Sequence, residues 1–250
     1  MMDTVYTRDN STEMNNDMNF TRQEELYDGN NNNDRVNIIG VGATGSWVAL
    51  ALAKLGVHSV TMYDGDIIEL HNVPNQLYSK RDVGKLKSVL CKKYCDDLGS
   101  GKSQLIPFRS NVDVEDMGDL IHNSVATFCL VDSMKARKEL VEAAIDALAP
   151  GQHHYWIETR MGLTGYRVYL IDLANEYQVA EYKKTLYNDE DAGASACGYS
   201  QSIVTTAMQC AGHAVGLWLA KMNNAEYVPN EIIFDVHSTF ILHKKFEPKE

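Results

Sequence analysis

The sequence lacks an excess of positive charge. Its 23 Lys and Arg residues stand against 34 Asp and Glu residues, which gives a formal net charge of −11. A surface of that sign repels phosphate backbones and anionic lipid headgroups. The chain also lacks an apolar run near the roughly 20 residues of a membrane span, and a basic segment followed by an apolar one at its start. These absences predict a cytoplasmic protein that binds neither nucleic acid nor membranes.

Closely spaced cysteine pairs are also missing. The chain has five cysteines and none of them forms a C-x-x-C motif, the usual ligand pair of a structural zinc site. In a cytoplasmic protein these cysteines are expected to be reduced thiols. The sequence therefore predicts no zinc. The five residues are Cys91, Cys95, Cys129, Cys197 and Cys210.

What the sequence does contain is an alternation of short apolar runs and helical patterns. Strands are predicted at 36–39, 59–63, 105–108, 126–131 and 155–158, with helices at 46–55, 83–98, 115–122 and 134–148. Beyond residue 162 the pattern predicts a strand at 166–173, a polar excursion at 174–196, a long helix at 202–222 and two closing strands within 231–246. Such an order is typical of a Rossmann-like α/β fold, a mostly parallel sheet with helices on both faces, here extended by antiparallel strands at its C-terminal end.

The N-terminal end has a different composition. Residues 1–18 are rich in Asn and Asp and are predicted to be a disordered tail, because they have little apolar surface to bury. The remaining residues, 19–250, are predicted to form a single domain. Thr21 and Glu24 stand at capping-box spacing, which predicts a short helix that docks on the body of the protein.

A glycine-rich motif lies between the first predicted strand and the first predicted helix. Gly40, Gly42 and Gly45 form G-x-G-x-x-G, in which the glycines permit a tight turn, close approach of a phosphate and close packing of helix on strand. Asp64 follows 19 residues after Gly45, at the end of the second strand, where a carboxylate can accept hydrogen bonds from a ribose. The motif predicts adenosine-nucleotide binding; the alternative is a structural turn with a solvated aspartate.

Four further motifs follow that an NAD-dependent oxidoreductase does not need. They are Asp64-Gly65-Asp66, the turn from Asn72 to Gln76 followed by Gly84 to Lys87, and Asp132 to Arg137 after the fourth strand. Together they resemble the ThiF/MoeB family of ubiquitin-activating-type adenylyltransferases, whose pattern is D-x-D, S-N-L-x-R-Q, I-G-x-x-K and D-N-x-x-x-R. The resemblance runs from Thr21 to Phe246 and includes an early R-Q pair, Arg22 and Gln23.

The resemblance implies a reaction and a set of site residues. Family members activate the C-terminal carboxylate of a small ubiquitin-like or sulfur-carrier protein with ATP and Mg²⁺, releasing pyrophosphate, and they act as homodimers in which Arg22 would be supplied across the interface. The implied catalytic residues are Arg22, Lys87, Asp132 and Cys197, with Asp132 as the metal ligand. The implied nucleotide-binding residues are Gly40, Gly42, Gly45, Asp64, Asp66, Asn72, Gln76 and Lys87.

The residue types suit this chemistry without the family. Attack of a carboxylate on the α-phosphate of ATP requires neutralisation of charge along the triphosphate, for which Lys87 and Arg22 are suitable cations. Asp132 offers the hard oxygen ligand that Mg²⁺ prefers. The alternatives are that Lys87 is a solvated helix lysine and that Asp132 is a helix N-cap.

The sequence departs from the family pattern at one polar position. Asn75 stands where the family has the arginine of S-N-L-x-R-Q, so one phosphate contact is missing or is made by Lys80, Arg81 or Lys85. Two alternative functions stay open: an NAD-dependent oxidoreductase that uses the same glycine motif, and a catalytically inactive nucleotide-binding scaffold of this fold.

Other polar residues carry weaker expectations. Cys197 lies in a small-residue loop before a helix, where a thiol is acidified and can accept an activated acyl group; the alternative is a packing role. Glu158 and Arg160 line an acyl-substrate channel or form an internal ion pair. His153, His154 and His213 show no ligand spacing and are predicted to be structural.

Overall fold

The computed structural model describes residues 18–187 and 202–248, and their strands form one eight-stranded sheet in the order β3-β2-β1-β4-β5-β6-β7-β8. The predicted tail, residues 1–18, falls outside this description except for Met18. In chain order the strands are Arg35–Ile39 (β1), Ser59–Tyr63 (β2), Gln104–Phe108 (β3), Ala126–Cys129 (β4), Tyr155–Met161 (β5), Gly165–Asp172 (β6), Glu231–Asp235 (β7) and Phe240–Lys244 (β8).

Helices cover both faces of the sheet. Side chains that alternate along β1, such as Ile38 and Ile39, belong to two separate apolar clusters, one on each face. The first cluster contains residues of α1, α2 and α6, and the second contains residues of α3, α4 and α5. The helices are Gly45–Leu55 (α1), Lys87–Leu98 (α2), Met117–His122 (α3), Met134–Asp146 (α4), Glu176–Lys183 (α5) and Val204–Met222 (α6).

The direction of the strands determines at which edge of the sheet a ligand is expected to bind. The five strands from β3 to β5 pair in parallel, so the carboxyl ends of β1, β2, β4 and β5 lie at one edge of the sheet. From β5 onward the pairs are antiparallel. The predicted α/β architecture with antiparallel C-terminal strands is therefore confirmed. Ligands of such sheets bind beyond the carboxyl ends of the parallel strands.

Two helix predictions differ from the structure. The helix predicted at 83–98 begins at Lys87 because the preceding residues are extended: Ile67 and Leu86 form a β-bridge, and Gly84 N–H donates to the carbonyl of Ile68 at 2.8 Å. The predicted polar excursion contains α5, whose N-cap Asn175 accepts from Gln178 N–H. Asn175 is a typical N-cap residue and could have indicated this helix, but the many polar residues around it favoured a loop.

The N-terminal segment docks as predicted but is not helical. Residues 21–26 form hydrogen-bonded turns, because the N–H groups of Gln23 and Glu24 both donate to the carbonyl of Phe20, and Asn19 instead of Thr21 supplies the capping oxygen. The side chains of Phe20 and Tyr27 are buried. None of the helices within the described residues has the length and apolar character needed to cross a membrane.

Candidate active site

The glycine-rich loop connects β1 to α1 and needs glycine at two positions for reasons internal to the fold. Gly40 has a φ of +91°, which other residues rarely adopt, and a Cβ on Gly45 would lie 1.9 Å from the carbonyl oxygen of Gly40. At Gly42 the nearest atom to such a Cβ, Nε2 of Gln76, is 3.9 Å away. Packing therefore leaves the backbone at Gly42 accessible to a ligand, as the motif predicted.

Asp64 closes this loop from the end of β2. Its Oδ2 accepts the N–H of Val41 and its Oδ1 accepts the N–H of Asp66, both at 2.9 Å. Burial raises the pKa of this carboxyl, while the positive charge of Lys87 and the two N–H donors oppose that rise. Each oxygen keeps a second lone pair, which is the capacity that a ribose contact requires.

Lys87 begins α2 and points into the site. The residue is only 8% exposed, and its Nζ lies 2.8 Å from Oδ2 of Asp66, whose side chain is 66% exposed. This arrangement contradicts the alternative of a solvated helix lysine. The ion pair holds the ammonium of Lys87 in place. Because the carboxylate of Asp66 faces solvent, a phosphate can replace it as the partner of Lys87.

Sequence reasoning missed Tyr78. Its hydroxyl lies 2.7 Å from the carbonyl oxygen of Val41 and 3.2 Å from that of Lys87, so one buried side chain joins the glycine-rich loop to the start of α2. Burial raises the pKa of the phenol, which stays a donor. No motif marks this residue, because its role depends on two segments that meet only in the folded chain.

Asp132 follows β4 at the same edge and is exposed. The N-cap of α4 is Ser133, whose Oγ accepts the N–H of Ala136 at 3.2 Å, so the alternative of a capping role for Asp132 is wrong. Within residues 18–187 and 202–248, no hydrogen bond or ion pair occupies its carboxylate. The same residues hold no group of three or more His, Cys, Asp or Glu side chains suited to a metal. A single free carboxylate is compatible with an Mg²⁺ ion that is bound to a triphosphate and retains several water ligands.

The turn that carries Asn75 packs against α1 and the start of α6. Asn75 donates from Nδ2 to Oγ of Ser202 at 2.6 Å, and its carbonyl accepts from the indole of Trp47 at 3.2 Å. Asn72 closes the turn by accepting the N–H of Glu69 at 2.8 Å. In the described part of the chain, Oδ1 of Asn75 and Oε1 of Gln76 are buried without a hydrogen-bond partner.

Arg22 is not brought to this edge by its own chain. Its exposed side chain belongs to the docked N-terminal segment, which Gln23 ties to the carbonyl of Leu55 at 2.9 Å. Leu55 is the last residue of α1 and Gly45 is the first of its 11 residues. At ~1.5 Å per residue, the length of this helix, about 16 Å, separates the segment from the glycine-rich loop. A role for Arg22 within its own subunit is therefore not supported.

The remaining predicted groups that the structure describes make contacts within the fold. Glu158 is fully buried between Arg160 Nε at 2.8 Å and Arg137 Nε at 3.1 Å, so the internal ion pair is confirmed. His153 contacts Asp172 and His213 contacts Tyr166, as structural residues do. The buried cysteines are Cys91, Cys95, Cys129 and Cys210. Cys197 lies outside the described residues.

Comparison with known proteins places these motifs in a sequence family. The family model described as "ThiF family" matches residues 16–245. The chain is 29% identical over 112 residues to the "Adenylyltransferase and sulfurtransferase uba4" of Aspergillus terreus, covering 44% of this chain and 23% of that protein. It is 27% identical over 129 residues to the "Sulfur carrier protein ThiS adenylyltransferase" of Escherichia coli, covering 51% of this chain and 49% of that one. The matches thus span half or less of these curated relatives.

Solved structures share the fold. PaaA superposes with a TM-score of 0.69 at 17% identity, covering 97% of this chain and 79% of that one. E. coli MccB, in a crystal structure with AMPCPP and MccA, superposes with a TM-score of 0.67 at 16% identity, covering 87% and 65%. At these identities the likeness concerns the fold alone, and it agrees with the mixed sheet described above.

Proposed function

The chain belongs to the ThiF family, and from this membership we propose that it is an ATP-dependent adenylyltransferase that activates the C-terminal carboxylate of a small carrier protein or peptide. The observation that carries the proposal is that a buried, oriented lysine and an unpaired carboxylate lie at the same edge of the sheet. Lys87 points beside the glycine-rich loop, and Asp132 stands at the end of β4 with no partner in the described residues.

The residues of this edge divide the work of adenylation. An oxygen of the substrate carboxylate attacks the α-phosphorus of ATP, the bond to the leaving pyrophosphate breaks, and an acyl adenylate forms. The free backbone at Gly42 approaches the phosphates and Asp64 accepts from the ribose, while Lys87 neutralises charge on the triphosphate. Asp132 would hold Mg²⁺, which, when bound, offsets charge that develops on the pyrophosphate.

Assembly completes the site in this proposal. Arg22 lies at the far end of α1 in its own subunit, so its cation reaches a triphosphate only if a second copy presents it. We therefore propose a cytoplasmic homodimer in which each site contains Arg22 of the partner subunit.

The acyl substrate and its fate are further parts of the proposal. One of the relatives named above is a sulfur carrier protein ThiS adenylyltransferase, which supports a protein or peptide substrate that ends in a free carboxylate, such as a C-terminal glycine. Transfer of the acyl group to Cys197 stays a proposal, and Cys197→Ser tests it. That variant should keep pyrophosphate exchange and lose any covalent adduct in non-reducing mass spectrometry.

A second candidate function is a nucleotide-binding scaffold without catalysis. Asn75 favours it, because the family arginine at this position is replaced by an amide that binds Ser202 in place of a phosphate. An NAD-dependent oxidoreductase is not supported by the site, because it leaves the orientation of Lys87 and the free carboxylate of Asp132 without a use.

The deciding experiment measures exchange of labelled pyrophosphate into ATP. Small proteins and peptides with a C-terminal glycine, taken from neighbouring genes, serve as substrates, and stabilisation by ATP but not by NAD is checked first by thermal denaturation. We expect substrate-dependent exchange that Asp132→Ala abolishes and Asp146→Ala, an exposed aspartate at the other end of α4, leaves intact. ATP binding without exchange for any substrate favours the scaffold.

A further inference from the structure

The most completely buried acidic side chain of the parallel sheet has no direct role in the reaction above. Glu158 lies in β5, with a side-chain exposure of 0%. Its Oε1 lies 2.8 Å from Nε of Arg160 and 3.1 Å from Nε of Arg137, and its Oε2 accepts from Arg160 and from the hydroxyl of Tyr182. A single carboxylate thus faces two guanidinium groups; Arg160 donates hydrogen bonds to it, while Nε of Arg137 forms an ion pair without hydrogen-bond geometry. A buried charge is tolerated only when it is paired, so each arginine depends on Glu158.

Arg137 uses its other nitrogens on the loop that carries Asp132. From the first turns of α4, its Nη2 donates to the carbonyl of Val131 and, at 2.8 Å, to the carbonyl of Thr159 in β5. Its Nη1 lies 3.5 Å from the carbonyl oxygen of Asp132 itself. The guanidinium of Arg137 therefore connects Val131 and Asp132 to strand β5.

This tie lies where the strand pairing of β4 has ended. The last residue of β4 is Cys129, and Asp132 is exposed, so strand pairing and burial do not fix its backbone. The adjacent Leu130 N–H still donates to Ile39 at 2.8 Å. Among the described residues, the guanidinium of Arg137 contacts the backbone carbonyls of both Val131 and Asp132.

Arg160 shows that the cluster has a second, separable branch. Its Nη1 donates to the carbonyl of Thr185 at 2.6 Å, and its guanidinium lies 4.5 Å from the ring centroid of Tyr169. Those contacts join β5 to the residues after α5 and do not involve the loop of Asp132. The effect of Glu158 on that loop therefore passes through Arg137.

We propose that Glu158 is a positioning residue of the adenylation site, which pairs with Arg137 and thereby orients the guanidinium that holds the backbone of Asp132. The importance of this role for catalysis rests on the proposed function. The arrangement itself is a property of the protein without ligand, and it is testable there.

Two substitutions test the link from Glu158 through Arg137 to the backbone of Asp132, and two further substitutions serve as matched controls. Arg137→Lys keeps the charge that Glu158 pairs with but lacks the fork of donors that reaches Val131, Asp132 and Thr159 together. Tyr182→Phe removes a donor to Glu158 and keeps the ring. As controls, Arg167→Lys and Tyr169→Phe alter an arginine and a tyrosine that contact Glu231, at 2.7 and 2.9 Å, in the next part of the sheet.

The first measurement is amide hydrogen exchange of the protein without nucleotide. In Arg137→Lys we expect exchange in peptides covering residues 130–137 to accelerate roughly 10-fold, because the loop opens locally without global unfolding. Tyr182→Phe should produce a smaller increase in the same peptides. Unchanged exchange there, or an increase equal to that of the two controls, overturns the proposal. Glu158→Gln is informative only where it folds, and the other variants make the test independent of it.

The second measurement is the steady-state rate of pyrophosphate exchange. Arg137→Lys should lower kcat about 10-fold or more while the KM for ATP changes less than threefold, because Asp64 and the glycine-rich loop still bind the nucleotide. Wild-type kcat in a variant with an accelerated loop overturns the positioning role. If wild-type protein shows no exchange at all, the proposed function has failed, and the hydrogen-exchange result still decides whether Glu158 and Arg137 fix the loop.

Discussion

Asn75 donates a 2.6 Å hydrogen bond to Oγ of Ser202, two residues before α6 begins at Val204. The side chain at the position of the family arginine is thus a structural link between the turn after β2 and the longest helix. The side-chain amide oxygens of Asn75 and Gln76, Oδ1 and Oε1, are buried without partners in the described residues, so this turn offers acceptors where the family offers a cation.

The link predicts energetic coupling between the two residues. Asn75→Ala and Ser202→Ala should each lower the free energy of unfolding by about 1 kcal/mol, because each removes the same buried hydrogen bond. The double variant should lose little more than either single one, which chemical denaturation of the four proteins measures. Additive losses would show that the bond does not contribute to stability.

Lys87 is predicted to act on chemistry more than on stability. Lys87→Met keeps the apolar stem and removes the charge, so pyrophosphate exchange should fall about 10²-fold, as expected for loss of one preorganised charge contact. Asp66 loses its partner but faces solvent, so thermal stability should change little. Lys92→Met is the matched control, because Lys92 lies on the same helix, is partly exposed and pairs with Asp96 at 2.7 Å. Equal effects of the two substitutions contradict the role of Lys87.

The position of Arg22 predicts complementation between inactive subunits. Arg22→Ala and Asp132→Ala proteins should each be inactive, while their mixture should recover about a quarter of wild-type exchange. Random pairing makes half of the dimers mixed, and each mixed dimer retains one intact site. Gel filtration of the mixture confirms dimers. A mixture that stays inactive means that Arg22 does not act across an interface.

His154 predicts a pH dependence of stability. It is buried with Nδ1 3.2 Å from the carbonyl oxygen of Ser124 and Nε2 3.0 Å from Oγ1 of Thr127, and burial lowers its pKa from 6.5 to about 4. Below pH 6.5 the unfolded chain gains a proton that the folded chain does not, so the free energy of unfolding decreases as the pH falls. Between pH 6.5 and about 4, the decrease in the free energy of unfolding amounts to about 3 kcal/mol, at ~1.4 kcal/mol per pKa unit.

The variant His154→Gln isolates that contribution. Its free energy of unfolding, measured by urea denaturation between pH 4 and 7, should depend less on pH than that of the wild type. His153→Gln is the control, because His153 is 64% exposed and pairs with Asp172. A wild-type slope in His154→Gln would assign the acid sensitivity to other groups.

The sequence by itself determined the parallel sheet and most of the candidate site. Strand residues such as Ile38 belong to apolar runs that are local in sequence, and Gly45 must lack a side chain because its Cβ would lie 1.9 Å from the carbonyl oxygen of the nearby Gly40. Lys87, Asp64 and Asp132 follow strands or begin helices, so their place at the carboxyl edge follows from the order of elements. The helix predicted around Glu24 is a set of turns in the structure, in which Asn19, a residue outside the capping-box pattern, accepts the N–H of Thr21.

Only the tertiary structure decided which polar groups are free and which are engaged. Glu158 and Arg137 are 21 residues apart, Tyr78 joins Val41 to Lys87, and Asn75 reaches Ser202. Sequence spacing does not encode these pairs, because hydrogen bonds and ion pairs act over about 3 Å while the loops that bring the partners together vary freely in length. The same geometry leaves Asp132 unpaired in the described residues and places Arg22 beyond the reach of its own site, since helix α1 stands between them as a rigid spacer.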